Sequence, residues 1–157
     1  MNVIKVSDCY YDFDILGSLM LHEDIVDYVD VRFKSCGSLM RLFDNIREGL
    51  TLSYIAMDQY SHVGFMICEK KGMGRGECHI GFIRGYNGCS AVEKAEEMAH
   101  KEGVTELIGN IPHNNRLARL FASRCGYECL GRNSDDYFWN DNFEKIETVR
   151  YYKNLED

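Results

Sequence analysis

The stretch CHIGFIRGYNGCSAVEKAEEMAHKEGVTELIGNIPHNNRLARLFASRCGYE, Cys78 to Glu128, changes its periodicity three times. Cys78 to Ile83 reads as a strand. Ala91, Val92, Ala95, Met98 and Ala99 then share one helical face, with Glu93, Lys94, Glu96, Glu97 and Lys101 opposite, and Gly103 stops the helix. A short strand from Glu106 to Ile111 ends at Pro112, the only proline of the chain. Asn114 or Asn115 can cap a second helix, whose expected buried stripe is Leu117, Leu120, Phe121 and Cys125, with Gly126 as its stop. The stretch therefore alternates strand and helix, which predicts helices laid against a sheet.

Outward from there, the N-terminal side opens with a β-like run from Val3 to Val6. Two stretches of helical spacing follow, one carrying Leu16, Met20, Ile25 and Val29, the other running from Gly37 to Arg47 and ending at Gly49. Leu50 to Met57 and His62 to Cys68 read as strands around the turn Asp58–Ser61. The Gly-rich Lys70–Gly76 makes a hairpin into Cys78–Ile83, giving three antiparallel strands in a row. On the C-terminal side, Tyr127 to Leu130, extending toward Tyr137–Trp139, and Ile146 to Tyr152 are β-like. The predicted order is β-α-α-β-β-β-α-β-α-β-β. No repeat, linker or low-complexity tract interrupts it, so residues 1–157 are expected to form one α/β (α+β) domain.

Composition excludes several function classes. With 45% hydrophobic and 12% aromatic residues, the chain has the apolar surface for a core. A net charge of -7 argues against nucleic acid as a partner, because that binding depends on Lys and Arg neutralising phosphates. It suits a cationic partner such as an amine. No apolar run approaches the roughly 20 residues that span a bilayer, and no apolar leader opens the chain, so a cytoplasmic location and no membrane contact are expected. The seven cysteines form no C-x-x-C pair and read as reduced, mostly buried thiols. No metal-ligand spacing occurs, and no metal is expected.

The segment Asn115-Arg-Leu-Ala118-Arg-Leu-Phe121-Ala-Ser-Arg-Cys-Gly126-Tyr127 resembles N-x-x-A-x-x-[LF]-Y-x-x-x-G-F of the GNAT (GCN5-related N-acetyltransferase) family, with five positions in agreement. The chain is also similar, more weakly, to GNAT-like proteins of tailed phages, through Leu19-Met-Leu-His22-Glu-Asp-Ile25 and Gly85-Tyr-Asn87-Gly88. The resemblance implies the GNAT fold: a mixed, mostly antiparallel central sheet flanked by about four helices, with a splayed parallel strand pair at its centre. It implies acetyl-CoA as cofactor and acetyl transfer to a primary amine of a small molecule or protein. The cofactor's arm would lie between the splayed strands. Phe82 and Ile83 would line it from the cofactor strand, and Asn115, Ala118 and Phe121 from the fourth helix. Its diphosphate would rest on the loop and helix start at Asn87, Gly88, Cys89, Ser90 and Ala91. Exposed β-edges in this architecture often pair, so a homodimer is a further expectation.

Two departures from the family pattern stand out. The family's pyrophosphate loop, [QR]-x-x-G-x-[GA], falls on Asn87, Ser90 and Val92, or in shifted registers on Arg84, Asn87 and Cys89 or on Gly85, Gly88 and Ser90, none of which restores both glycines with Gln or Arg. The tyrosine that commonly protonates the leaving thiolate falls on Ala122. For the base, Glu77 and His79 lie two apart on one face of the cofactor strand. The departures keep a second reading open: a catalytically degenerate GNAT-like protein of a phage, structural or host-interacting, with the virion as its location. Asp135, Asp136 and Asp141 lie where the resemblance places substrate entry and could attract a cationic amine there, with a solvated loop as the preferred reading. Tyr127, Tyr137, Phe138 and Trp139 read as packing.

Overall fold

Leu52, Tyr54, Met66 and Cys68 project to one side of strands β2 (Thr51–Asp58) and β3 (Ser61–Gly72), while Ile55, Phe65 and Ile67 project to the other. Both sides are buried, which is why these segments are apolar almost without interruption instead of alternating. The computed structural model describes residues 1–156. Its remaining strands are β1 (Asn2–Lys5), β4 (Arg75–Phe82), β5 (Glu106–Pro112), β6 (Glu128–Trp139) and β7 (Lys145–Asn154). The helices are α1 (Tyr10–Met20), α2 (Cys36–Arg47), α3 (Cys89–Lys101) and α4 (Arg116–Arg124), and the element order is the one the periodicity predicts.

The seven strands form one sheet in the order β1-β2-β3-β4-β5-β7-β6. Every neighbouring pair is antiparallel except β4–β5, the central pair. α3 crosses between these two strands and buries Val92, Ala95 and Ala99 against one face, where Ala122 of α4 joins the same cluster. α1 and α2 cover the other face with Phe13, Leu16, Leu19 and Met20, and Phe13 stacks on Phe43 at 4.6 Å. This is the mixed, mostly antiparallel sheet with four helices and a central parallel pair that the resemblance implies.

Some boundaries differ from the sequence reading. The first helix ends at Met20; Ile25 and Val29 lie beyond it, beside one-turn 3₁₀ helices at Val26–Tyr28 and Val31–Phe33. His22 Nδ1 accepts the Asp24 N–H at 3.1 Å, which supplies a local turn where the helix would have continued. β6 runs unbroken to Trp139, with two register shifts opposite β7. Asp135 and Asp136 lie in this strand, not in a loop. Leu117 and Leu120 are 75% and 48% exposed instead of forming a buried stripe; Leu117 borders the cavity, and Leu120 does not. Glu96, expected on the polar face of α3, is buried. Cys9, Cys36 and Cys129 are exposed and only Cys68 and Cys78 are buried, so the thiols are not mostly buried. Among the described residues, no helix is long and apolar enough to cross a membrane.

Candidate active site

β4 and β5 stay in register for three residue pairs only: Arg75 with Glu106, Gly76 with Leu107 and Glu77 with Ile108. Beyond Glu77 they diverge. The outer edge of β4 remains paired with β3 and that of β5 with β7. The inner edges of Cys78–Phe82 and Gly109–Pro112 are left without each other as partners. Main-chain N–H and C=O groups at such an edge need a substitute.

The gap opens into a cavity of about 1040 Å³ that reaches both faces of the sheet. Phe82, Asn115, Ala118 and Phe121 line it on the α4 side, and Ile83, which packs with the α1–α2 cluster, lines it on the other. Phe82 and Phe121 meet with ring centroids 6.0 Å apart. Asn115 also caps α4, its Oδ1 accepting the Ala118 N–H at 3.2 Å. Gly126 ends the same helix with φ +87, a conformation that favours glycine.

Asn87, Gly88, Cys89, Ser90 and Ala91 do not line the cavity; they follow directly on Gly85 and Tyr86, which do. Asn87 Oδ1 accepts the Cys89 N–H at 3.2 Å. Gly88 is the N-cap of α3 and donates no side chain to it. A Cβ at Gly88 would sit 2.5 Å from the Phe82 ring, so the glycine is what lets the loop close onto that ring. Ala91 and Val92 point into the core, so the branched side chain of Val92 does not stand over the start of the helix. This segment offers a ligand main-chain N–H groups together with the exposed side chains of Asn87 and Ser90.

On the opposite face the cavity is lined by Glu69, Lys71, Glu77, His79 and Asp136. Glu77 and His79 therefore both reach it, as their spacing predicts. Glu69 is the missed partner: it pairs with Glu77 directly across the β3–β4 hairpin. Lys71 Nζ lies 3.1 Å from Glu69 Oε2 and 3.7 Å from Glu77 Oε2 and offsets the repulsion of that like-charged pair. His79 Nε2 is 3.5 Å from Glu69 Oε1 and is itself enclosed with no closer partner. The facing imidazole, helped by Lys71, depresses the Glu69 carboxyl to about 2 against the effect of burial. Burial works against the imidazolium, but Glu69 outweighs it and the His79 pKa is raised. Burial, then Glu77, raises the pKa of Asp136, whose side chain accepts from Thr148 Oγ1 at 3.3 Å.

Ala122 lines the cavity at the position of the family tyrosine and brings no hydroxyl. Tyr127 also lines it, but its hydroxyl donates to Glu96 Oε2 at 2.7 Å, and burial pushes the phenol far up. Lys153 Nζ meets Glu96 Oε1 at 2.7 Å and completes this buried set. Across the cavity, Asp30 accepts from the Trp139 N–H at 2.8 Å and from the Arg32 guanidinium. Arg32 in turn donates to the Tyr137 carbonyl, tying the segment after α1 to β6. Among the described residues, no group of three His, Cys, Asp or Glu side chains could hold a metal.

This architecture is that of the GNAT N-acetyltransferases. The spermidine N-acetyltransferase of Vibrio cholerae, solved in complex with CoA and spermine, superposes with a TM-score of 0.77 at 13% identity, covering 98% of this chain and 95% of that one. An N-acetyltransferase of Staphylococcus aureus Mu50 gives 0.74 at 12% identity, covering 99% and 100%. The ribosomal-protein-alanine N-acetyltransferase of Brucella melitensis gives 0.70 at 16%, covering 99% and 100%. At such identities the likeness is one of fold. Compared by sequence, the chain matches no family model and no curated protein.

Proposed function

We propose that this chain, read as one domain, is an acyl-CoA-dependent N-acetyltransferase that acetylates a primary amine. The observation that carries the reading is the divergence of β4 and β5 after Glu77, which opens a cavity through the sheet. The amide-bearing pantetheine arm of acetyl-CoA is a suitable partner for the unpaired inner edges, with Phe82, Ile83, Ala118 and Phe121 against its apolar side and Asn115 within reach. Asn87 Oδ1 takes the Cys89 N–H, and the Gly88, Ser90 and Ala91 N–H groups at the start of the 13-residue α3 have no side-chain cap from Gly88, an arrangement that favours a diphosphate. The bound thioester supplies an acyl group already activated toward an amine.

The remaining chemistry belongs to the other face. Glu69, Glu77 and Asp136 offer carboxylates to an ammonium group there, among the cations Lys71 and Arg32 and a histidine held toward its charged form. A general base must be unprotonated when it acts. His79 is held toward its charged form by Glu69, so Glu77 takes the proton from the ammonium, and His79 and Lys71 hold the surrounding carboxylates in place. Ala122 leaves the departing thiol without a proton donor from α4, which lowers the expected turnover without preventing reaction by proximity.

That same residue favours a second reading. The protein would keep the scaffold and the gap but not turn over, as a phage structural or host-interaction component. Thermal unfolding with acetyl-CoA, paired with a thiol-release assay against a panel of primary amines, separates the two. At ~100 times its Kd the ligand stabilises the fold by about 2.7 kcal/mol. Stabilisation with amine-dependent thiol release supports the enzyme, and stabilisation alone selects the second reading. No stabilisation removes the enzyme reading.

A further inference from the structure

Away from the proposed chemistry, two thiols face each other. Cys89, the first residue of α3, and Cys125, the C-cap of α4, bring their sulfurs within 3.1 Å. A disulfide needs about 2 Å between sulfurs, so roughly one ångström of approach separates the two states. Both thiols are half-exposed, and Cys125 borders the cavity, which gives a small oxidant a route to them. The other five cysteines differ in kind: Cys68 and Cys78 are buried, while Cys9, Cys36 and Cys129 lie exposed on separate elements.

We propose that Cys89 and Cys125 are a redox modification site: a disulfide reagent of the glutathione-disulfide class closes them to an intramolecular disulfide, and thiols reopen it. The Cys89 thiolate attacks one sulfur of the reagent, forming a protein–glutathione disulfide and releasing one glutathione thiolate. Cys125, after losing its proton to solvent, attacks the protein-side sulfur and releases the second glutathione. Two electrons pass to the reagent, and two thiols plus one disulfide become one disulfide plus two thiols. Burial and the neighbouring Cys89 hold the Cys125 thiol protonated, which assigns the first attack to Cys89.

The consequence is mechanical. The bond joins the first turn of α3 to the end of α4, which borders the cavity, through residues 36 positions apart. The oxidised form holds them at fixed separation and closes a long loop in the unfolded chain, so it unfolds at a higher temperature. Cofactor binding plays no part in this claim, so a failure of the acetyltransferase reading leaves it standing or falling on its own.

The test incubates the folded protein with glutathione disulfide, blocks remaining thiols, and maps disulfides by peptide mass spectrometry beside a thermal melt. The expected result is one dominant Cys89–Cys125 linkage, a raised melting temperature, and reversal of both by dithiothreitol. Cys89→Ser and Cys125→Ser should each abolish the linkage and the rise while melting cooperatively in reduced form. Mixed disulfides that stay on Cys89 without resolving overturn the proposal. So does a linkage through Cys9, Cys36 or Cys129 in its place, or a Cys89–Cys125 linkage that neither raises the melting temperature nor reverses.

Discussion

Glu69 and Glu77 stand opposite each other across one hairpin, and Lys71, from the same strand as Glu69, lies within 4 Å of both. Their charges are therefore coupled, and a change at one is felt at the other. In Lys71→Met the carboxylates repel without compensation, which disfavours having both charged at once. The acid limb of the pH–rate profile should move to higher pH, with stability falling by less than ~1 kcal/mol because the lysine is half-exposed. An acid limb that stays in place would remove Glu77 from the base role.

The two candidate bases separate by substitution. Glu77→Gln should lower kcat by about 10²- to 10⁴-fold and leave the KM for acetyl-CoA nearly unchanged. His79→Gln should cost much less in kcat, since a histidine held toward its charged form is not the proton acceptor. Steady-state kinetics of both variants decide it; the reverse ranking would transfer the role to His79.

The Glu69–His79 contact also predicts how stability follows pH. Glu69 titrates lower in the folded chain than the ordinary 4.5, so its contribution is present above that value and lost as pH falls toward about 2. His79 titrates higher than the ordinary 6.5, so its contribution is present below that value and lost as pH rises through the folded-state pKa. Glu69→Gln should flatten both limbs, by an amount on the order of 1 kcal/mol after solvent screening. Melting temperatures of the two proteins from acid to mildly alkaline pH give the comparison.

Glu96 is buried between Lys153 and Tyr127, at 2.7 Å from each. Glu96→Ala leaves Lys153 facing an emptied site, and the cost should approach the ~3 kcal/mol lower end for a broken buried pair. Tyr127→Phe removes one hydrogen bond and should cost about 1 kcal/mol. Urea unfolding measures both; equal costs would mean the ion pair contributes little.

The order of strands and helices was legible because the apolar period switches at glycines and at Pro112. The gap between β4 and β5 was not: two apolar runs look alike whether or not their inner edges pair, and only the likeness of Asn115–Tyr127 to a family motif pointed to it. Leu117 and Leu120 are exposed against expectation because spacing identifies an apolar stripe but not whether anything packs on it. Glu96 was assigned to solvent on residue type alone, and its partner Lys153 lies 57 positions away. Glu69 had a usable signal: counting back from the hairpin turn at Met73–Gly74 sets it near Glu77. Asp136 had a weak signal, its place in an acidic run near the expected substrate entry, but the register shifts of β6 hide which of its residues turn inward. The contact of Cys89 with Cys125 likewise exists only once both helices are folded.

The sheet is held across its middle by a seam three residues long, Arg75–Glu77 against Glu106–Ile108. On one side of that seam lie four strands and on the other three, each group continuously hydrogen-bonded within itself. The halves thus meet like two panels joined near one corner, and whatever molecule lodges in the opening beyond Glu77 acts as the missing stitching. Amide hydrogen exchange along Cys78–Phe82 and Gly109–Pro112 is where such stitching would first be felt.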